Sequence, residues 1–122
     1  PGSDLNTKDI TRFIARESRS YVISVSSLMH KTDFPKDTPY IDELLAAAPE
    51  QLANGGSCVA NPDGSWLLEP QLHTEGVFHA EIQLDRVYEE RQNFDPVGHY
   101  SRPDVTQLHL NRERQSTLKI KD

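Results

Sequence analysis

The stretch GGSCVANPDGSWLLEP, Gly55 to Pro70, decides how this chain folds. Gly55 to Ala60 leads into Asn61-Pro62-Asp63-Gly64, and Ser65 to Leu68 leads away. Pro62 presets the first turn dihedral and Gly64 accepts the positive φ that closes a reversal, so the two arms predict a hairpin. Cys58, the single cysteine, lies on the first arm.

Upstream of the hairpin, Ile10, Phe13 and Ile14 fall at helical spacing within Thr7 to Ser18. Asn6 or Thr7 is available as N-cap, and Asp9 meets the positive helix end. Tyr21 to Val25 is a short uncharged β-branched run, the pattern of a strand buried on both faces. A helix followed at once by such a strand is an α/β unit. The run HKTDFPKDTPY, His30 to Tyr40, carries two prolines and alternating charge and reads as a loop. Asp42 to Ala48 is made of strong helix formers and stops before Pro49, predicting a short helix. Downstream, Gly76 to Ile82 alternates Phe78, Ala80 and Ile82 with Val77, His79 and Glu81, predicting a half-buried strand. Asp85 to Asn93 is charged around Val87, predicting a solvent-facing helix. Beyond Phe94 only Val105, Leu108 and Leu110 offer apolar packing.

The length of 122 residues suits one domain or a portion of a larger one. Only 35% of residues are hydrophobic, and the six glycines do not lift the apolar share to the roughly 45–50% of typical soluble domains. The core is therefore expected to be thin, with apolar surface left for a partner. A net charge of −6 argues against nucleic acid and anionic membrane as partners. The apolar runs Val22–Val25 and Leu44–Ala48 are far shorter than the roughly 18 residues that span a bilayer, and the expectation is a soluble, cytoplasmic chain. One cysteine forms neither an internal disulfide nor a zinc site by itself.

Four strings, in order, resemble the nitrilase superfamily of carbon-nitrogen hydrolases: IARESRSYVISVSS, GGSCVANPDGSWLLEP, EGVFHAEIQLDRVYEERQNF and the tail DPVGHYSRPDV. The likeness covers about the first nine-tenths of the chain. It implies the C-terminal portion of an α-β-β-α sandwich, an α/β fold of α+β layers with one helix layer on a mixed sheet. It also implies hydrolysis of nitriles or amides by a cysteine nucleophile, a glutamate base and a charge-stabilising lysine. In the family these three precede the matched region, so the resemblance assigns no catalytic residue here and no cofactor. The implied division is a tag or disordered leader over 1–6, an α/β segment over 7–98 and an extended tail over 99–122.

Cys58 is tempting as a nucleophile, but its string matches a structural hairpin, and a small thiol approaching a turn commonly packs inside. The reading is structural. Gly55 and Gly56 precede a strand rather than a helix and a lysine, so they form no phosphate cradle. His30, His73, His79, His99 and His109 show no pair at the spacing that sets two imidazoles on one helical face, which argues against a metal site. His79 is expected to satisfy a hydrogen bond. Arg16 and Arg19 lie on the first helix at repulsive spacing, so each is expected to seek its own acidic partner. In the tail, Arg102 and Asp104 can pair around Pro103, and His99, Tyr100, Arg102 and Asp104 are the candidates for packing against a catalytic domain or a neighbouring subunit.

The expected function is thus the C-terminal part of a nitrilase-like hydrolase acting on non-peptide C–N bonds, inactive alone. Its partner is a second copy or the missing N-terminal part of the same enzyme. The alternative is a stand-alone, non-catalytic dimerising domain from a truncated gene, joined through the sheet face its lost half would cover.

Overall fold

A computed structural model describes residues 4–114 and 116–118. Its elements run α1 (Asp4–Ser18), β1 (Val22–Ser24), β2 (Leu28–His30), a 3-10 turn (Lys31–Asp33), α2 (Ile41–Ala47), β3 (Gln51–Ala60), β4 (Trp66–Leu72) and α3 (Asp85–Asn93). Helix α1 begins earlier than its apolar spacing predicts, because no proline or glycine between Asp4 and Thr7 halts it. Asn6 and Thr7 therefore lie inside the helix rather than capping it. Of the leader expected over 1–6, residues 4–6 are helical and 1–3 lie outside the described residues, as do 115 and 119–122 of the tail.

The hairpin forms as the sequence predicts. β3 is central to a four-stranded sheet: β4 folds back along it, β1 pairs with its C-terminal end and β2 with its N-terminal end. Every pairing is antiparallel, where a mixed sheet was expected. The tight turn makes β3 and β4 antiparallel, whereas the link from β2 to β3 runs through the 3-10 turn and α2 and returns the chain beside the strand it left. At the turn, the Asn61 amide donates to the Ser65 carbonyl (2.8 Å) and the Gly64 amide to the Asn61 carbonyl (2.8 Å). Gly55 and Gly56 adopt positive φ where the ladder shifts register, so they make a bulge.

Helix α1 lies across β1, β3 and β4. It turns Thr11 and Ala15 inward, and the core residues are Ala15, Cys58, Val59 and Ala60. All are small, so the helix approaches the sheet closely and the core is thin, as the composition implies.

Three expectations need correction. Val22 to Val25 is not buried on both faces: Ile23 is 62% and Val25 85% exposed, because α1 covers only the side shared with Cys58. Gly76 to Ile82 makes no strand, because alternation alone supplies no ladder partner, and Ala80 and Ile82 are exposed. Val105, Leu108 and Leu110 do not pack, being 67%, 94% and 76% exposed. Leu28 and Met29, which lie between the expected strand and loop, and His30, expected in the loop, form β2 and pair with β3.

Candidate functional site

The buried chemistry centres on Cys58, 1% exposed on β3. Register sets Ser24 opposite Cys58, and Thr11 reaches it from α1. Burial pushes the thiol pKa up, and hydrogen bonds from the Thr11 and Ser24 hydroxyls offset this only in part. A thiol so held stays protonated and is a poor nucleophile. Neither hydroxyl can take its proton.

A polar seam joins α1, the hairpin turn and α3. Arg19 donates to Glu90 (2.9 Å) and its guanidinium lies 5.8 Å from the Phe94 ring centroid. Arg91 donates to the Ser20 hydroxyl (3.2 Å). Arg86 donates to Asp63 (3.1 Å), in the hairpin turn. Tyr21 donates its hydroxyl proton to the Gln83 carbonyl (3.2 Å). Arg86 and Glu90 stand four residues apart on α3, so one helix face serves both the hairpin turn and Arg19, which lies just past the end of α1 at φ 50°. That spacing was legible in the sequence; its partners 23 and 71 residues away were not. Arg16, expected to find an acid as Arg19 does, makes no ion pair among the described residues.

Asp63 is held below the ordinary carboxylate range, chiefly by the Ser65 hydroxyl (2.6 Å), against a smaller cost of burial, with help from the Ser65 amide and Arg86. A depressed carboxylate contributes stability above its unfolded pKa, near 4, that is lost as pH falls through the folded value. Acidification from about pH 5 to about pH 3 is therefore expected to destabilise the wild type more than Asp63→Asn. Parallel urea melts of the two proteins would refute this if their pH slopes coincided.

The tail candidates divide. Tyr100 rests its ring 5.2 Å from Phe94, and the His99 ring lies tilted beside Tyr100 at 4.6 Å, so both join the seam through the ring that Arg19 covers. Arg102 and Asp104 instead pair with each other (2.7 Å and 2.5 Å) in solvent, which raises the arginine pKa and lowers the aspartate pKa. His79 is exposed and makes no hydrogen bond among the described residues, because the strand that would have held it does not form.

Two open clefts flank the sheet. One of about 500 Å³ lies between the outer side of α1 and the turn, lined by Asp9, Arg12, Phe13, Arg16 and Asp63 to Ser65. The other, of about 380 Å³, is lined by Ser26, Ser27, Asn54 and His73 among others, with His73 Nδ1 2.7 Å from Gln51 Oε1. Cys58 lines neither. Among the described residues no group of three or more His, Cys, Asp or Glu side chains converges as a metal site would require, and no helix is long and apolar enough to cross a membrane.

No family model matches the chain. Curated proteins do. A nitrilase of Bradyrhizobium diazoefficiens is 41% identical over 96 residues, covering 78% of this chain. Nitrilase 2 of Arabidopsis thaliana is 36% identical over 101 residues, covering 80%. The chain spans 29% and 30% of the lengths of these two relatives. A nitrilase-like protein of Saccharomyces cerevisiae is 36% identical over 115 residues, covering 88% of this chain and 96% of the yeast protein. With so much of its length aligned to a relative of nearly the same size, and to a portion of longer ones, the chain belongs to the nitrilase superfamily, matching the C-terminal part of its longer members.

Proposed function

We propose that the chain is the C-terminal part of a nitrilase-like hydrolase acting on nitrile or amide C–N bonds in the cytoplasm. In this reading the nucleophile, base and lysine come from a preceding segment of the same polypeptide or of a companion chain. One observation carries it: the match runs over most of this chain yet only about three-tenths of the length of the enzymes named nitrilase. The burial and raised pKa of Cys58 support a scaffolding role for the only cysteine. The test is ammonia release from a panel of aliphatic and aromatic nitriles and amides. The 122-residue chain alone is expected to release none, and a longer product carrying the preceding segment is expected to be active and to keep that activity in Cys58→Ala. Turnover by the short chain that disappears in Cys58→Ala would overturn the reading.

The yeast relative favours a second reading, a stand-alone domain without catalysis, because the chain spans 96% of its length. Exposed Ile23 and Val25 on the open sheet face would then be covered by a second copy. Absence of turnover from every gene product, long or short, selects this reading over the first.

A further inference from the structure

Asn54-Gly55 is the one Asn-Gly pair in the chain, and it lies where β2, β3 and the end of β4 meet. The Asn54 carbonyl accepts from the His73 amide (2.8 Å), the Gly55 amide donates to the Ser27 carbonyl (3.1 Å), and Asn54 stands opposite Leu28 of β2. The fold requires glycine after the asparagine. Gly55 sits at φ +81°, and a Cβ there would stand 3.0 Å from the Gln71 carbonyl oxygen and 3.8 Å from Leu28 Cδ1. Such a pair is chemically labile, because no side chain hinders the glycine nitrogen as it approaches the asparagine carboxamide. Asn54 is half-buried and lines the open cleft of about 380 Å³, so water has access to it. What restrains the reaction is the bond from Gly55 to Ser27, at the entrance to β2. That strand is three residues long, half-buried throughout, and pairs with β3 alone. A short edge strand with so little burial opens locally at a fraction of the cost of global unfolding.

We propose that Asn54 is a site of spontaneous deamidation, gated by detachment of β2 from β3, and that the product keeps β2 from returning. Once Ser27 releases the Gly55 amide, hydroxide removes its proton and the nitrogen attacks Asn54 Cγ. The new N–C bond closes a five-membered imide as the Cγ–Nδ2 bond breaks, and the side-chain nitrogen takes a proton from water and leaves as ammonia. Water then adds to one imide carbonyl. Reopening at Cγ yields aspartate, and reopening at the main-chain carbonyl yields isoaspartate, in which the chain runs through Cβ and Cγ. One water is consumed, one ammonia is released, and nothing is oxidised or reduced. Either product places a carboxylate at position 54, and isoaspartate also displaces the peptide unit that bonds to both His73 and Ser27. Asp63-Gly64 supplies the internal contrast. Ring closure there needs a protonated carboxyl, but Asp63 is held as the anion by Ser65 and Arg86, and the Gly64 amide is bonded to Asn61.

The test incubates the 122-residue chain in mildly alkaline buffer, folded and in denaturant, and follows the amide-to-acid mass gain and isoaspartate content of the peptide bearing residue 54. Folded wild type is expected to react about tenfold to a hundredfold more slowly than the denatured chain, a protection at least about tenfold smaller than that of the Cys58 thiol in the same sample. Leu28→Gly removes the side chain that packs beside Gly55 and is expected to speed the folded reaction about tenfold while leaving the denatured rate unchanged. Asn54→Gln must close a larger ring and is expected to lose the mass gain, and the Asp63 peptide is expected to stay free of isoaspartate. In the deamidated chain, the amides of β2 are expected to exchange hydrogen faster than in the intact one. At most one ammonia leaves per chain, so the event is distinct from substrate turnover and independent of the hydrolase reading. A folded rate equal to the denatured one, protection matching that of Cys58, or a Leu28→Gly rate equal to that of wild type overturns the inference. So does a mass gain that persists in Asn54→Gln, or β2 exchange that deamidation leaves unchanged.

Discussion

Gly64→Ala is expected to cost about 2 to 4 kcal/mol of folding stability, from two sources that act at one atom. The residue sits at φ +82°, a conformation in which a side chain is strained. An added Cβ would also stand 3.2 Å from the Arg16 Cβ and 3.3 Å from the Arg12 carbonyl oxygen, one of them main chain of α1. The turn cannot retreat freely. Its amide is tied to Asn61 and its carbonyl accepts from Arg12, so the methyl group must push the helix off the hairpin. That is the contact on which the thin core depends. Gly76→Ala is the control: its new Cβ would meet the Phe78 ring at 3.6 Å, an ordinary contact, and at an exposed position the change is expected to stay within about 0.5 kcal/mol. Urea melts with unchanged slope measure both. A Gly64→Ala loss below about 0.5 kcal/mol would mean that helix and turn are not coupled as described.

Cys58 in the native chain is expected to react with a thiol-specific disulfide reagent at pH 8 at least about a thousandfold more slowly than in denaturant, because reaction requires the core to open. Two factors act together. The sulfur is 1% exposed beneath α1, and burial raises its pKa, so even a brief partial opening yields little thiolate. The raised pKa has a consequence for stability. A folded pKa above the unfolded one, near 8.5, contributes stability that is complete below that value and is lost as pH rises through the folded one. Wild type should therefore lose more stability than Cys58→Ala between about pH 8 and pH 10, although the alanine starts lower because it leaves a small cavity. Labelling of the native chain at a rate near the denatured one would show that the thiol is accessible and would reopen the question of its chemistry.

Much of this architecture was legible in residue order. The turn Asn61 to Gly64 announced the hairpin because only certain residues accept its dihedrals, and Asp85 to Asn93 announced α3 because its charges leave it nothing but a solvated helix. Periodicity failed where a local pattern needed a distant partner. Gly76 to Ile82 alternates as a strand does, yet alternation says only which side chains share a face. A ladder also requires a partner strand, and Gly76 to Ile82 pairs with none. The same holds for β1, whose β-branched run reads as doubly buried although α1 covers only one side.

The candidate site divides along the same line. By itself the sequence determined the hairpin, the three helices, the sparse core, the pairing of Arg102 with Asp104 and the likeness to the nitrilase superfamily, all properties of neighbouring residues or of their order. Only the tertiary structure decided that Cys58 is sealed beneath Thr11 and Ser24, that Arg19 finds Glu90 71 residues away, and that Phe13 stays exposed on α1. The reason is physical. Turn dihedrals and helix propensity act within a few residues, whereas burial and ion pairing depend on which distant surfaces the packing of α1 on the sheet brings together or leaves in water.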